Sequence, residues 1–202
     1  MLKQKKQSNS IKMKIKIGLL VFFLTVSAAI NGQQGLSIGD IAPGFKAPAD
    51  DGMIWDINDY LGTNYIVIYF YPAAMTGGCT KQACSYRDHR DDLQKAGAIV
   101  VGVSGDKTEN LKIFKQAENL NFPLLSDEKG EIAKAFGVPA SEGGTIKRTF
   151  SGIEHDLTRG VTAKRWTFII GKDKKIIYRN DAVDAEKDAE EILGFLKLQA
   201  GK

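Results

Sequence analysis

The chain holds two cysteines, Cys79 and Cys84, both inside the stretch YFYPAAMTGGCTKQACSYRD at residues 69–88. Four residues separate them. That spacing matches neither the C-x-x-C of a thioredoxin-type redox motif nor the ligand pairs of a zinc knuckle. A run of β-branched and aromatic residues, NYIVIYFY at 64–71, precedes them and reads as a central strand buried on both faces. Tyr71-Pro72 breaks the run, and Gly77-Gly78 lets the chain turn into a helix that begins near Cys79. The first turn of a helix carries unpaired N–H groups and the positive end of the macrodipole. A thiolate is favoured there, so Cys79 is expected to be a partly accessible nucleophile.

Cys84 falls on the same helix, five residues on. In an ideal helix five residues rise about 7.5 Å and turn about 500°, which sets the two thiols on faces roughly 140° apart. A disulfide needs Cα atoms within about 7 Å, and this helix holds them roughly 8 to 9 Å apart. The pair therefore cannot bond while the helix is intact, and a static bridge would melt the helix carrying it. The spacing points to a switching pair, reduced when the helix is folded and oxidised when it unwinds. A metal site is poorly served: the only histidines are His89, in the charged run RDHRDD, and His155.

The first residues belong to a different segment. Lysines at 3, 5, 6, 12, 14 and 16 precede an apolar run from Ile17 to Ile30 that ends in small residues. This order matches a secretory signal peptide, and a run of about 14 residues is short of the roughly 20 that span a bilayer. We expect residues 1–32 to be a cleaved signal and 33–202 one domain, exported to the periplasm with no membrane span of its own. Without those six lysines the 28 basic residues fall to 22 against 24 acidic ones, a net charge of −2. The basic balance of the full chain therefore gives no case for nucleic-acid binding.

The elements around the cysteines alternate. GLSIGDIAPGFKAPADDGMIWDINDYLG at 35–62 suits a turn-rich lead-in with a hairpin near Asp51-Gly52. Residues 77–96 read as helix, 98–104 as a second buried strand and 108–120 as an amphipathic helix capped by Thr108, with Leu111, Phe114 and Leu120 in its stripe. FPLLSD is a short strand and KGEIAKAFGV a short helix ending at Gly137. Residues 139–164 read as an extra hairpin, 165–180 as a hairpin turning at Gly171-Lys172-Asp173, and 184–198 as a closing helix. The sum is an α/β fold, a mixed central sheet flanked by helices.

At these residues a family resemblance emerges. PAAMTGGC, Pro72 to Cys79, follows the pattern of Pro, three residues, Thr, two residues, Cys that marks peroxiredoxins. With the second cysteine of GCTKQACSYRD, the chain resembles the bacterioferritin-comigratory-protein or Q-type branch of the AhpC/TSA superfamily. The likeness runs through GDIAPGFKAPADDG, FYP, GVSGDKTENLKIFKQAENLNFPLLSDEKGEIAKAFGV and RWTFII, nearly all of residues 37–197. It implies a thioredoxin-like fold, no cofactor and no metal. It also implies reduction of hydrogen peroxide and alkyl hydroperoxides by a cysteine thiolate, recycling by a thioredoxin-like reductant, and a monomer or weak dimer.

Position by position, Cys79 resembles the peroxidatic cysteine and Cys84 the resolving cysteine of the intrahelical type. Thr76 resembles the residue whose hydroxyl contacts thiolate and peroxide, Pro72 the one that shields the site from water. Arg165 resembles the arginine that approaches the thiolate from a neighbouring strand. Backbone N–H groups near Gly78 and Cys79 complete a set of donors aimed at the charge that builds on the leaving oxygen. Gln82 departs from the pattern, standing where the family usually has Glu, and is a further candidate for substrate binding. Two other readings share the sequence: a thiol–disulfide oxidoreductase, which would want a cysteine at residue 82, and a peroxide-sensing redox switch.

Overall fold

A computed structural model describes residues 35–200; the signal-peptide reading of residues 1–32 lies outside them. A small antiparallel hairpin opens the domain, β1 (Lys46–Pro48) and β2 (Ile54–Asp56), turning at Asp51-Gly52 as the sequence predicts. The central sheet has five strands in the order β5-β4-β3-β8-β9: β3 (Tyr65–Phe70), β4 (Ala98–Ser104), β5 (Leu124–Ser126), β8 (Trp166–Ile170) and β9 (Ile176–Asn180). β3, β4 and β5 run parallel, whereas β8 and β9 join antiparallel. This is the mixed, thioredoxin-like sheet the sequence implies.

β3 explains why a continuous apolar run was needed. Ile66, Ile68 and Phe70 face one core with Trp55, Phe136 and Phe168. Val67, Tyr69 and Tyr71 face the other, with Tyr86, Phe114, Ile192 and Leu196. Successive side chains alternate across the sheet, so both must be apolar. The second core is covered by α1 (Gly77–Asp88), α2 (Arg90–Lys95), α3 (Thr108–Glu118) and α5 (Asp188–Ala200). The first is covered by the opening hairpin and α4 (Glu131–Ala135).

Two local expectations are corrected. The helix predicted over 77–96 is two helices broken at His89, whose backbone leaves helical geometry and whose Nδ1 lies 2.9 Å from the carbonyl of Ser85. Thr108 does not cap α3: Lys107 is the capping residue, and its N–H donates to the carbonyl of Thr158. The loop before α3 is thus set by β7 (Ile153–Ala163), not by a side-chain cap.

β7 pairs with β6 (Ala140–Phe150) in a separate two-stranded ribbon turning at Ser151-Gly152. This is the extra hairpin read from the sequence, and its base is seated firmly. Gly160 N–H donates to Gly105 O at 2.9 Å, and Asn110 Nδ2 donates to Thr158 O at 2.6 Å. A Cβ at Gly105 would stand 2.1 Å from the carbonyl oxygen of Val161, so only glycine admits this approach.

Phe168 tests the packing. It is fully buried between Phe70, Phe136 and Trp166. Phe168→Ala is expected to cost about 3–5 kcal/mol, read as a fall in the denaturant midpoint at unchanged slope; a loss under about 1 kcal/mol would refute this packing.

Candidate active site

β3 ends at Phe70, and the chain crosses Tyr71 to Thr76 before entering α1. The loop is held from below by Asp106, a fully buried residue whose Oδ2 accepts from the N–H of Ala74 at 2.8 Å and from Ser104 Oγ at 2.9 Å. Burial pushes the Asp106 carboxyl up, and these hydrogen bonds oppose that rise. Met75 adopts φ of 55°, a left-handed backbone that a side chain rarely takes. Its carbonyl accepts from Arg148 Nε at 2.7 Å. The hairpin therefore reaches back to the loop that leads into the cysteine helix.

Thr76 caps α1 with extended backbone, and its hydroxyl donates to the carbonyl of Ala73 at 2.8 Å, not to Cys79. The first backbone bond of the helix runs from Thr80 N–H to Thr76 O at 2.8 Å. The amides of Gly77, Gly78 and Cys79 thus precede the helical ladder, at the positive end of the dipole. Pro72 stands half-buried at the start of the loop.

Cys79 is 2% exposed, which corrects the expectation of a partly accessible thiol. Its side chain joins the apolar core with Tyr69, Tyr71 and Ala74, while Arg165 meets its sulfur. Arg165 Nη2 donates to Cys79 Sγ at 3.4 Å, and Arg165 Nη1 donates to Gln82 Oε1 at 2.5 Å. A Cβ on Gly78 would come 3.3 Å from Arg165 Nη2, so the bare glycine leaves the guanidinium room to reach the sulfur. Arg165 precedes β8, which is the neighbour of β3 in the sheet.

Cys84 lies on another face of α1 and is unbonded, as is Cys79. Its Sγ donates to Glu118 Oε2 at 3.6 Å, and Arg87 Nη1 donates to the Glu118 carbonyl at 2.7 Å. Burial pushes the Cys84 thiol up; the charge of Arg87 works against this and that of Glu118 reinforces it. One helix therefore presents a buried sulfur under a cation and a half-buried thiol beside a carboxylate, turned away from each other.

The geometry brings Cys79, Arg165, Gln82, Gly78 and Thr76 together around one helix start and sets Cys84 apart. Sequence reasoning missed Asp106, Arg148, Glu118 and Asp188. Asp188 left a trace: it is in phase with Ile192 and Leu196, an acid on the apolar stripe of α5. Arg148 left none, since nothing local ties it to a residue 73 positions away. A separate cavity of about 210 Å³, lined by Trp55, Tyr60, Arg90 and Phe122 among others, shares no residue with this cluster.

Comparison with known proteins shows the family. Residues 38–179 match the AhpC/TSA family model. The chain is 41% identical over 165 residues to peroxiredoxin Bcp of Escherichia coli, covering 82% of this chain and 98% of that one. It is 36% identical over 173 residues to chloroplastic peroxiredoxin Q of Gentiana triflora, covering 85% and 71%. Among solved structures, peroxidoxin BcpB of Mycobacterium tuberculosis superposes with a TM-score of 0.67 at 32% identity, covering 81% and 97%. A Xanthomonas campestris bacterioferritin comigratory protein, studied for alkyl peroxide reduction, superposes with a TM-score of 0.63 at 25% identity, covering 77% and 92%. The chain belongs to the AhpC/TSA family, among its Bcp and Q-type peroxiredoxins.

Proposed function

We propose that the chain is a thiol peroxidase for hydrogen peroxide and alkyl hydroperoxides, with Cys79 as nucleophile and Cys84 as resolving thiol. The observation that carries this reading is the guanidinium of Arg165 on Cys79 Sγ at a helix start, with a second, unbonded thiol five residues along the same helix. The Cys79 thiolate attacks the nearer peroxide oxygen. An S–O bond forms, the O–O bond breaks, and the departing oxygen takes a proton to leave as water or alcohol. Arg165 and the first-turn amides supply donors to the charge that builds in this step. Thr76 Oγ1, whose own proton is engaged by Ala73, is left as an acceptor for the peroxide hydroxyl.

Cys79 is then a sulfenic acid. Once α1 unwinds, Cys84 sulfur attacks it; the S–S bond forms, the S–O bond breaks, and hydroxide leaves with the thiol proton as water. A thioredoxin-like dithiol reduces the disulfide by exchange and is itself oxidised. The lysine-rich, apolar N-terminal segment supports an exported, periplasmic setting for this cycle.

Peroxide consumption with a dithiol reducing system tests the assignment. Cys79→Ser is expected to abolish turnover, and Cys84→Ser to give one turnover unless an outside thiol resolves it. Wild-type consumption by Cys79→Ser would sink the mechanism. Activity on protein disulfides without peroxide would instead favour the oxidoreductase reading, and silence in both assays a sensor. Arg165→Ala is expected to lower kcat/KM for peroxide about a hundredfold or more, as for loss of one donor to a developing oxyanion; a change within threefold would remove Arg165 from the chemistry.

The Cys84 environment sets a pH dependence. A thiol raised in the folded helix stabilises that helix while protonated, fully below its ordinary range, and this stabilisation is lost as pH rises through the folded value. Alkaline pH should therefore favour unwinding. In a Cys79→Ser chain, iodoacetamide labelling of Cys84 should rise with a midpoint above the ordinary thiol range, and Glu118→Gln should move that midpoint down. An unmoved midpoint would show that Glu118 does not act on Cys84.

A further inference from the structure

Asp188 opens α5 and is fully buried, yet no step above uses it. Its Oδ2 accepts three hydrogen bonds: from Gln82 Nε2 at 2.7 Å, from Tyr86 OH at 2.7 Å and from Thr167 Oγ1 at 2.8 Å. Among the described residues its Oδ1 has no hydrogen-bond partner. Gln82 and Tyr86 stand one turn apart on α1, so both reach the same oxygen. Thr167 comes from β8, two residues beyond Arg165. A single carboxylate thus joins the cysteine helix, the arginine strand and the closing helix.

Gln82 is the hinge of this arrangement. Its Nε2 is held by Asp188 and its Oε1 receives Arg165 Nη1, whose other nitrogen meets Cys79. An amide with an acceptor at one end and a cation at the other has only one orientation; the flipped one would set NH₂ against guanidinium and oxygen against carboxylate. Asp188 therefore aims the oxygen that steadies Arg165. Gln82 also lies between the two cysteines, inside the segment that must leave helical geometry before they can bond. In the folded helix its two hydrogen bonds therefore stand against that unwinding.

The other ties from α1 to the segment that leads into α5 are weak by comparison. Lys81 pairs with Glu186 at 2.5 Å and Ser85 Oγ donates to the Glu186 carbonyl at 3.2 Å, but Lys81 and Glu186 are both exposed. Exposed pairs contribute little, whereas a buried carboxylate that loses its donors leaves unmet polar groups behind.

We propose that Asp188 is the latch of the switch: it keeps α1 folded and Arg165 aimed at Cys79 during the peroxide step, and must let go of Gln82 before the resolving step. Asp188 touches no reacting atom and is a positioning residue. The inference rests on the peroxidase reading with Cys84 as resolving thiol.

The latch predicts opposite signs for the two steps, which a merely structural residue does not. Sulfenic acid formation is read by dimedone trapping in a Cys84→Ser background, and disulfide formation by rapid acid quench and mass spectrometry. Asp188→Asn should slow the first and speed the second, each by about fivefold, the effect of weakening one hydrogen bond. The peroxide dose that drives Cys79 to sulfinic acid should rise in step. Tyr86→Phe, which removes one of the two α1 ties, should speed disulfide formation by about threefold and carries the test if Asp188→Asn does not fold. Disulfide formation at the wild-type rate in the folded variants, or both steps slowed together, overturns the latch. A wild-type chain that consumes peroxide yet forms no Cys79–Cys84 bond removes Cys84 as the resolving thiol, and the latch with it, while leaving Cys79 as the peroxide nucleophile.

Discussion

In the proposed cycle one helix has two incompatible duties. Folded, α1 presents Cys79 at its positive end beneath Arg165; in that state its own geometry keeps Cys84 on another face. The proposed cycle thus asks for a helix that holds while Cys79 meets peroxide and comes apart before Cys84 can reach it. The rest of the domain can be read as the surroundings of that compromise. β3 and β8 supply a rigid floor whose residues are almost all fully buried. α1 meets that floor through Cys79, Ala83 and Tyr86, while Gln82 and the Tyr86 hydroxyl carry its buried polar ties to Asp188.

Polarity is distributed unevenly along the helix, and this gives each thiol its own setting. Cys79 shares a cation with Gln82, and the neutral amide passes the contact on to a carboxylate one side chain farther away. Gln82 therefore links the guanidinium to a carboxyl without carrying a charge of its own. Burial pushes the Asp188 carboxyl up, and its three donors and the charge of Arg165 pull it back down. Cys84 faces a carboxylate directly, and burial and that charge favour its protonated form. The two sulfurs differ because one meets a guanidinium and the other a carboxylate.

Much of this was legible in the sequence. The alternation of buried runs and amphipathic stretches fixed the sheet order's ingredients, and β6–β7 and β8–β9 turn where their glycines predict. The separation of the cysteines followed from 3.6 residues per turn alone. What stayed hidden was tertiary. The burial of Cys79 depends on how the loop at Tyr71 to Thr76 folds over it, which no local pattern encodes. The break at His89 turns on one ring reaching a carbonyl within its own helix. Asp188 was disguised by company: acids at 184, 186, 190 and 191 surround it, and such a cluster ordinarily complements the dipole at a helix start.

The link between Arg148 and the carbonyl of Met75 ties two stretches of chain to a common fate. Met75 holds a backbone conformation that costs free energy, and the group that satisfies its carbonyl comes from the inserted ribbon. The ribbon is thus part of the loop's architecture from its base to Arg148, while the turn at Ser151-Gly152 beyond it is not. Shortening the tip leaves the loop as it is. Trimming past Arg148 obliges the loop to find a different backbone, so the length of an apparent ornament limits which active-site loops this scaffold can carry.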